Sequence, residues 1–128
     1  MALTLNHPTL KEVVVYGFTA SIGSTPIAGV ARVPWRGIIT KLGMVAGATF
    51  TTDNTVTCAI ALAGTTTFTA ITGGVITTTA ASSVAGTTGT ATPTALNAVN
   101  EDDIIRFLPS GSTGSAVPGT FFAVIQMA

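Results

Sequence analysis

A chain of 128 residues fits one domain that can bury a core without metal or disulfide staples. Five acidic and five basic residues make up only 8% of it, and the net charge is zero. Lys11, Arg32, Arg36, Lys41 and Arg106 are scattered, with at most a loose grouping from Arg32 to Lys41. That excludes the clustered positive surface that nucleic acid requires. Polarity comes instead from threonine, about a fifth of the chain, which favours strands and tolerates water. So little net charge removes the repulsion that keeps a monomer soluble, so partners are expected to cover part of the surface.

Residues 1–10 read as an N-terminal arm ahead of a domain spanning 11–128. Leu3, Leu5 and Leu10 are apolar, but His7 and Pro8 interrupt the pattern, since proline cannot donate to a strand ladder. Two readings stay open: an arm that docks on a neighbouring subunit, or an edge strand that frays. No basic stretch followed by an apolar one opens the sequence, so no secretory signal is expected. No run of about 18 apolar residues marks a membrane span.

Strand signals follow at short intervals, over residues 13–18, 27–33, 37–46, 56–62, 65–71, 75–79, 104–108 and 120–127. Residues 56–62 alternate, with Val56, Cys58, Ile60 and Leu62 on one face. Asp53-Asn54 reads as a turn pair, and Ala63-Gly64-Thr65 and Gly73-Gly74 read as hairpin turns. Residues 80–100 read as a long loop with room for one further short strand. Residues 109–119 read as a Gly/Ser/Pro loop before the last strand. About eight short strands, with almost no helical periodicity, point to an all-β sandwich of jelly-roll type.

The chemistry-bearing residues are sparse. Cys58 is the only cysteine, so no intrachain disulfide forms, and its apolar strand face marks it as a buried, inert thiol. His7 is the only histidine and lies in the arm, where no general base would be held rigidly. Glu101-Asp102-Asp103 lacks the spacing of a calcium site and reads as a solvated turn before a strand. No zinc or phosphate-loop pattern is present, no positioned pair of carboxylates is evident, and no enzyme, metal or cofactor is expected. Trp35 and Arg36 form the most distinctive short segment. Both types are enriched at interface hot spots, although a lone tryptophan beside a strand is often a core or rim residue.

Four features follow in order: Pro34-Trp35-Arg36-Gly37-Ile38 entering a strand, a Thr/Gly-rich middle over 49–93, an acidic turn and apolar strand over 100–107, and a Gly/Ser loop with a closing strand over 111–126. This layout resembles the small tailed-phage proteins that decorate or cement the capsid shell. Glu101-Asp102-Asp103 stands where such turns often carry Gly-Asp. The resemblance implies a jelly-roll-like fold, often trimeric, that sits across capsomer junctions and stiffens the shell. It implies a virion protein on the capsid exterior, assembled in the host cytoplasm. Its partner would be the major capsid protein, with no nucleic acid or membrane involved. Leu3, Leu5, His7 and Pro8 are then the expected capsid-binding residues, with Trp35 and Arg36 at an oligomer or capsid interface. The alternative is a receptor-binding or carbohydrate-binding module of a phage fibre, spike or tail, although aromatic residues for sugar faces are few.

Overall fold

The computed structural model describes residues 11–23, 25–79, 84–110 and 116–127. The expected arm, with Leu3, Leu5, His7 and Pro8, lies outside the described residues. Nine strands form among the described residues: β1 (Glu12–Thr19), β2 (Gly29–Arg32), β3 (Gly37–Ala46), β4 (Asn54–Ala61), β5 (Thr69–Thr78), β6 (Thr88–Ala91), β7 (Ala98–Val99), β8 (Ile104–Pro109) and β9 (Gly119–Met127).

They make two antiparallel sheets. Sheet A runs β1-β9-β3-β6, with β7 also paired to β3, and sheet B runs β2-β8-β4-β5. The non-sequential order, with the last strand between the first and the third, is the jelly-roll arrangement that the strand spacing predicted. Alternate residues of both sheets point between the layers. From sheet A these include Ile39, Leu42, Met44, Phe121 and Ile125, and from sheet B Val56, Cys58, Ile76, Ile105 and Phe107, all fully buried. Phe107 and Phe121 meet across the layers with parallel rings, centroids 4.9 Å apart and planes within 2°. Two large rings stacked at the centre lock the register of one sheet on the other.

Several expectations need correction. Residues 65–71 and 75–79 are not two strands joined at Gly73-Gly74; β5 is one strand with a bulge. Thr57 faces Val75 and Ala59 faces Ala70, so residues 71–74 oppose Cys58 alone. Gly73 supplies the positive φ of 74° that this detour needs. The detour gains backbone hydrogen bonds elsewhere: Thr72 N–H donates to the Ala95 carbonyl (3.0 Å), and Thr94 N–H donates to the Thr72 carbonyl (2.9 Å). The 80–100 segment holds two strands, β6 and β7, rather than at most one. β2 is shorter than the expected 27–33.

Asn54 is no turn residue. It opens β4, is fully buried, and its Nδ2 donates to the Ile22 carbonyl at 2.6 Å. Gly64 does make the expected turn, with φ 77° and Thr65 N–H donating to the Leu62 carbonyl at 2.9 Å. Leu62, expected inside with Val56 and Ile60, lies just past the end of β4 and is 61% exposed.

Candidate protein-binding surface

The outward side of sheet A is unusually apolar. On β1 the inward positions are Val13, Val15, Gly17 and Thr19, which leaves Val14, Tyr16 and Phe18 facing out. Tyr16 is 57% exposed and Phe18 71%. Register places Val14 beside Val124 and Tyr16 beside Phe122 on β9, with Phe18 beside Thr120. The rows continue onto β3 and β6: Phe122 faces Gly43, and Gly43 faces Thr90. The Phe122 ring occupies the space that a Cβ on Gly43 would fill. A flat platform results, apolar on β1 and β9 and hydroxyl-lined on β6. Within these rows Lys41, beside Val124, is the one charged residue; Glu12 lies at the end of β1.

Sequence reasoning missed this surface, yet a signal was present. Residues 13–18 and 121–125 are apolar without alternation, which marks strands covered on both faces rather than strands with one wet side.

A second feature lies at one end of the sandwich. Leu62, Leu96, Ile60 and Ala98 line an open cavity of about 470 Å³ together with Thr65, Thr67 and Thr69. Leu96 is 64% exposed and holds a positive φ of 53°, which keeps an aliphatic side chain at the rim. The same end carries the β2–β3 connection, where Trp35 is half exposed and Arg36 is exposed. Trp35 is therefore a surface residue and not part of the core.

The acidic turn differs from a solvated loop. Glu101 and Asp102 are exposed, but Asp103 is buried. Its Oδ1 accepts from Ala63 N–H (3.0 Å) and its Oδ2 from Asn100 N–H (2.8 Å). One carboxylate thus ties the β4–β5 turn to the entry of β8. Asp102 takes the left-handed conformation, φ 71°, that glycine would hold elsewhere, and its carboxylate pairs with Arg32. Aspartate tolerates that region better than most residues. Both partners are more than half exposed, so the pair contributes little to stability.

Cys58 is fully buried, and desolvation pushes its thiol up to about 12 from the ordinary 9.0. It is an inert core residue, as its strand position predicted. Arg106 lies beside Ala59 on the outer side of sheet B, and its guanidinium stacks 4.3 Å from the centre of the Phe68 ring. Among the described residues no group of three or more His, Cys, Asp or Glu side chains could hold a metal ion.

The fold and these surfaces define a jelly-roll sandwich with an apolar outer platform. No protein-family profile matches the sequence, and no curated protein is similar to it. Solved structures share the architecture. A tumour necrosis factor, Eiger from S. frugiperda, is 8% identical over 92% of this chain and 94% of its own, with a TM-score of 0.51. A chain of the acidic stable capsid of Helicobacter pylori bacteriophage KHP30 is 9% identical over 88% of this chain and 85% of its own, with a TM-score of 0.50. Murine APRIL is 12% identical over 88% of this chain and 99% of its own, also at 0.50. At such identities the likeness is one of fold.

Proposed function

We propose that this chain is a structural virion protein, a decoration or cement subunit that binds the outer surface of a capsid shell and stabilises it. The observation that carries the reading is the outer platform of sheet A. Val14, Tyr16, Phe18, Phe122 and Val124 form a continuous apolar surface on a chain with almost no charge to keep copies apart. Such surfaces mark protein–protein contact. The jelly-roll fold, shared with a phage capsid chain, supports a structural role.

In this reading the platform seats further copies of the chain in a homotrimer. Burying an aromatic side chain such as Tyr16 or Phe18 contributes about 1.5–3 kcal/mol. Threefold repetition then raises shell affinity through avidity without new contacts. The shell-facing contacts would come from Leu3, Leu5, His7 and Pro8, with Trp35 and Arg36 as further interface candidates. Catalysis and cofactors play no part.

Light scattering coupled to size-exclusion chromatography tests the assembly step. A stable trimer that the double substitution Tyr16→Glu, Phe18→Glu converts to folded monomer is the expected result. Co-sedimentation with empty capsids tests the shell step, and removal of residues 1–9 should abolish it with the domain still folded. A wild-type chain that stays monomeric and does not sediment with shells would overturn the proposal.

A further inference from the structure

The proposed trimer needs a second contact surface, because a closed ring of three copies joins two different patches of each chain. A platform packed on the same platform of a neighbour would give a twofold pair instead. Packing of the two sheets shows where the second patch lies. Gly89 of β6 comes so near β5 that a Cβ on it would meet the Thr77 carbonyl oxygen and the Thr78 methyl group. Gly17 of β1 likewise approaches the Val30 carbonyl of β2. One edge of the sandwich is therefore β1 with β2, and the other is β5 with β6. Ile38 of β3 pairs with Gln126 of β9 on one side and Ala98 of β7 on the other, so β7 also belongs to the edge away from β1. The cavity lined by Ala98 and by Thr69 of β5 sits there. The platform looks out of the face of sheet A. A face-to-edge contact turns each copy against the last, as closure of a ring requires.

The rim of this cavity is held in place by its backbone. On one side Thr94 and Ala95 are clamped to Thr72. On the other, Ile39 N–H donates to the Asn97 carbonyl (2.9 Å), and Asn97 Nδ2 donates to the Ile39 carbonyl (2.7 Å). Leu96 stands between the two clamps in its left-handed conformation, with its side chain turned to solvent. Packing within the domain does not call for that arrangement. Backbone strain of this kind clusters where a surface meets a ligand or partner.

The platform carries the matching part. Phe18 is the most exposed large apolar side chain among the described residues, and Tyr16 lies two residues back on the same face. A cavity of about 150 Å³ holds benzene. A cavity of about 470 Å³ therefore has room for the Phe18 ring and the Tyr16 ring together. The aliphatic lining meets the rings, and the hydroxyls of Thr67 and Thr69 can pair with the Tyr16 O–H, which needs a partner once buried. No charged side chain lines the cavity among the described residues, and the row of Tyr16, Phe122, Gly43 and Thr90 has none. Joining the two surfaces desolvates no ion there.

We infer that the cavity bounded by Ile60, Leu62, Leu96 and Ala98 receives Phe18 and Tyr16 of a second copy, so that sheet A of each chain closes on the β5–β6 edge of the next. The inference rests on the proposed trimer and deepens it by naming both halves of the contact. It also gives Leu62 and Leu96 a role that the core does not.

Light scattering on the full chain with Leu62→Glu and Leu96→Glu tests it. Both side chains are exposed, so circular dichroism and the thermal transition should match wild type, while the mass falls from three chains to one. A second measurement uses Phe18→Cys with Leu96→Cys, which leaves Tyr16 and the rest of the platform in place. Within one chain β9 and β3 lie between these positions, beyond the reach of about 7 Å between Cα atoms that a disulfide allows. Mild oxidation should therefore link separate chains into species of two and three on a non-reducing gel, with buried Cys58 untouched. A trimer that survives the cavity substitutions but not Tyr16→Glu, Phe18→Glu would overturn the inference and leave the proposed trimer standing. Absence of cross-links in the double-cysteine chain would overturn it as well. So would cross-linking of Phe18→Cys alone, which sets platform against platform. A wild-type chain with the mass of one copy would remove the trimer itself, and the inference with it.

Discussion

Replacing Asp103 with alanine should destabilise the domain far more than its place in an acidic turn suggests. The carboxylate is buried and accepts two backbone hydrogen bonds, from Ala63 and Asn100. Removing it leaves both part-buried donors without their acceptor. Each unsatisfied group costs about 1–3 kcal/mol when fully buried, so the two give a loss of about 2–6 kcal/mol at most. For a domain of this size that is a fall in Tm of roughly 6–24 °C, at about 3–4 °C per kcal/mol. Denaturant unfolding followed by fluorescence would read the loss as a lower midpoint at unchanged slope. The local reading is sharper. Amide exchange at Ala63 and Asn100 should accelerate beyond the global change, because those are the freed donors. A loss under about 1 kcal/mol, below the cost of even one stranded donor, would refute the reasoning. Unchanged exchange at both amides would refute it independently.

Three further outcomes are expected. Phe107→Ala should cost about 3–5 kcal/mol, measurable by denaturant unfolding, because it removes one ring of the stack that joins the sheets. Gly43→Val should cost about 1–3 kcal/mol and displace the Phe122 ring, seen as shifted Phe122 and Tyr16 ring resonances, since the ring fills the site of the new Cβ. Cys58 should resist thiol reagents until the chain unfolds. Its folded value is raised from 9.0 to about 12, so the unfolded chain loses the proton first. The thiol's contribution is therefore complete below pH 9 and is lost as pH climbs toward 12, at about 1.4 kcal/mol per unit. The difference in unfolding free energy between wild type and Cys58→Ala, followed against pH, isolates that slope.

Much of the framework was legible in the residues, because period-two patterning and turn glycines report backbone conformation locally. β1, β3, β8 and β9 fall within a residue or two of their expected limits. What escaped depends on contacts distant in sequence. Gly73-Gly74 looks like a hairpin turn until Thr94 and Ala95 arrive to hold the bulge. Asn54 and Asp103 carry the signature of surface turns, yet each is buried by a partner more than thirty residues away, Ile22 and Ala63. Cys58 was readable because its neighbours on the strand fix its environment. Trp35 and Arg36 are exposed, while Leu3, Leu5, His7 and Pro8 fall outside the described residues. The platform of sheet A was readable in principle from unbroken apolar runs, and the cavity was not, since Leu62 and Leu96 come together only through the fold.

The place of β9 in sheet A bears on how the chain is made. Gly119–Met127 lies between β1 and β3, and the register shows no pairing of those two strands with each other. A ribosome delivers this central strand after all the others. Until it emerges, Val13 to Phe18 have no partner strand in sheet A, Leu42 to Met44 pair only with β6 on one side, and the Phe107 ring waits for Phe121. Sheet A thus closes in one late event that spans more than a hundred residues of chain, a topology that folds slowly and leaves apolar edges open in the meantime. The nascent chain, rather than the finished domain, is the form of this protein most in need of protection from its own copies.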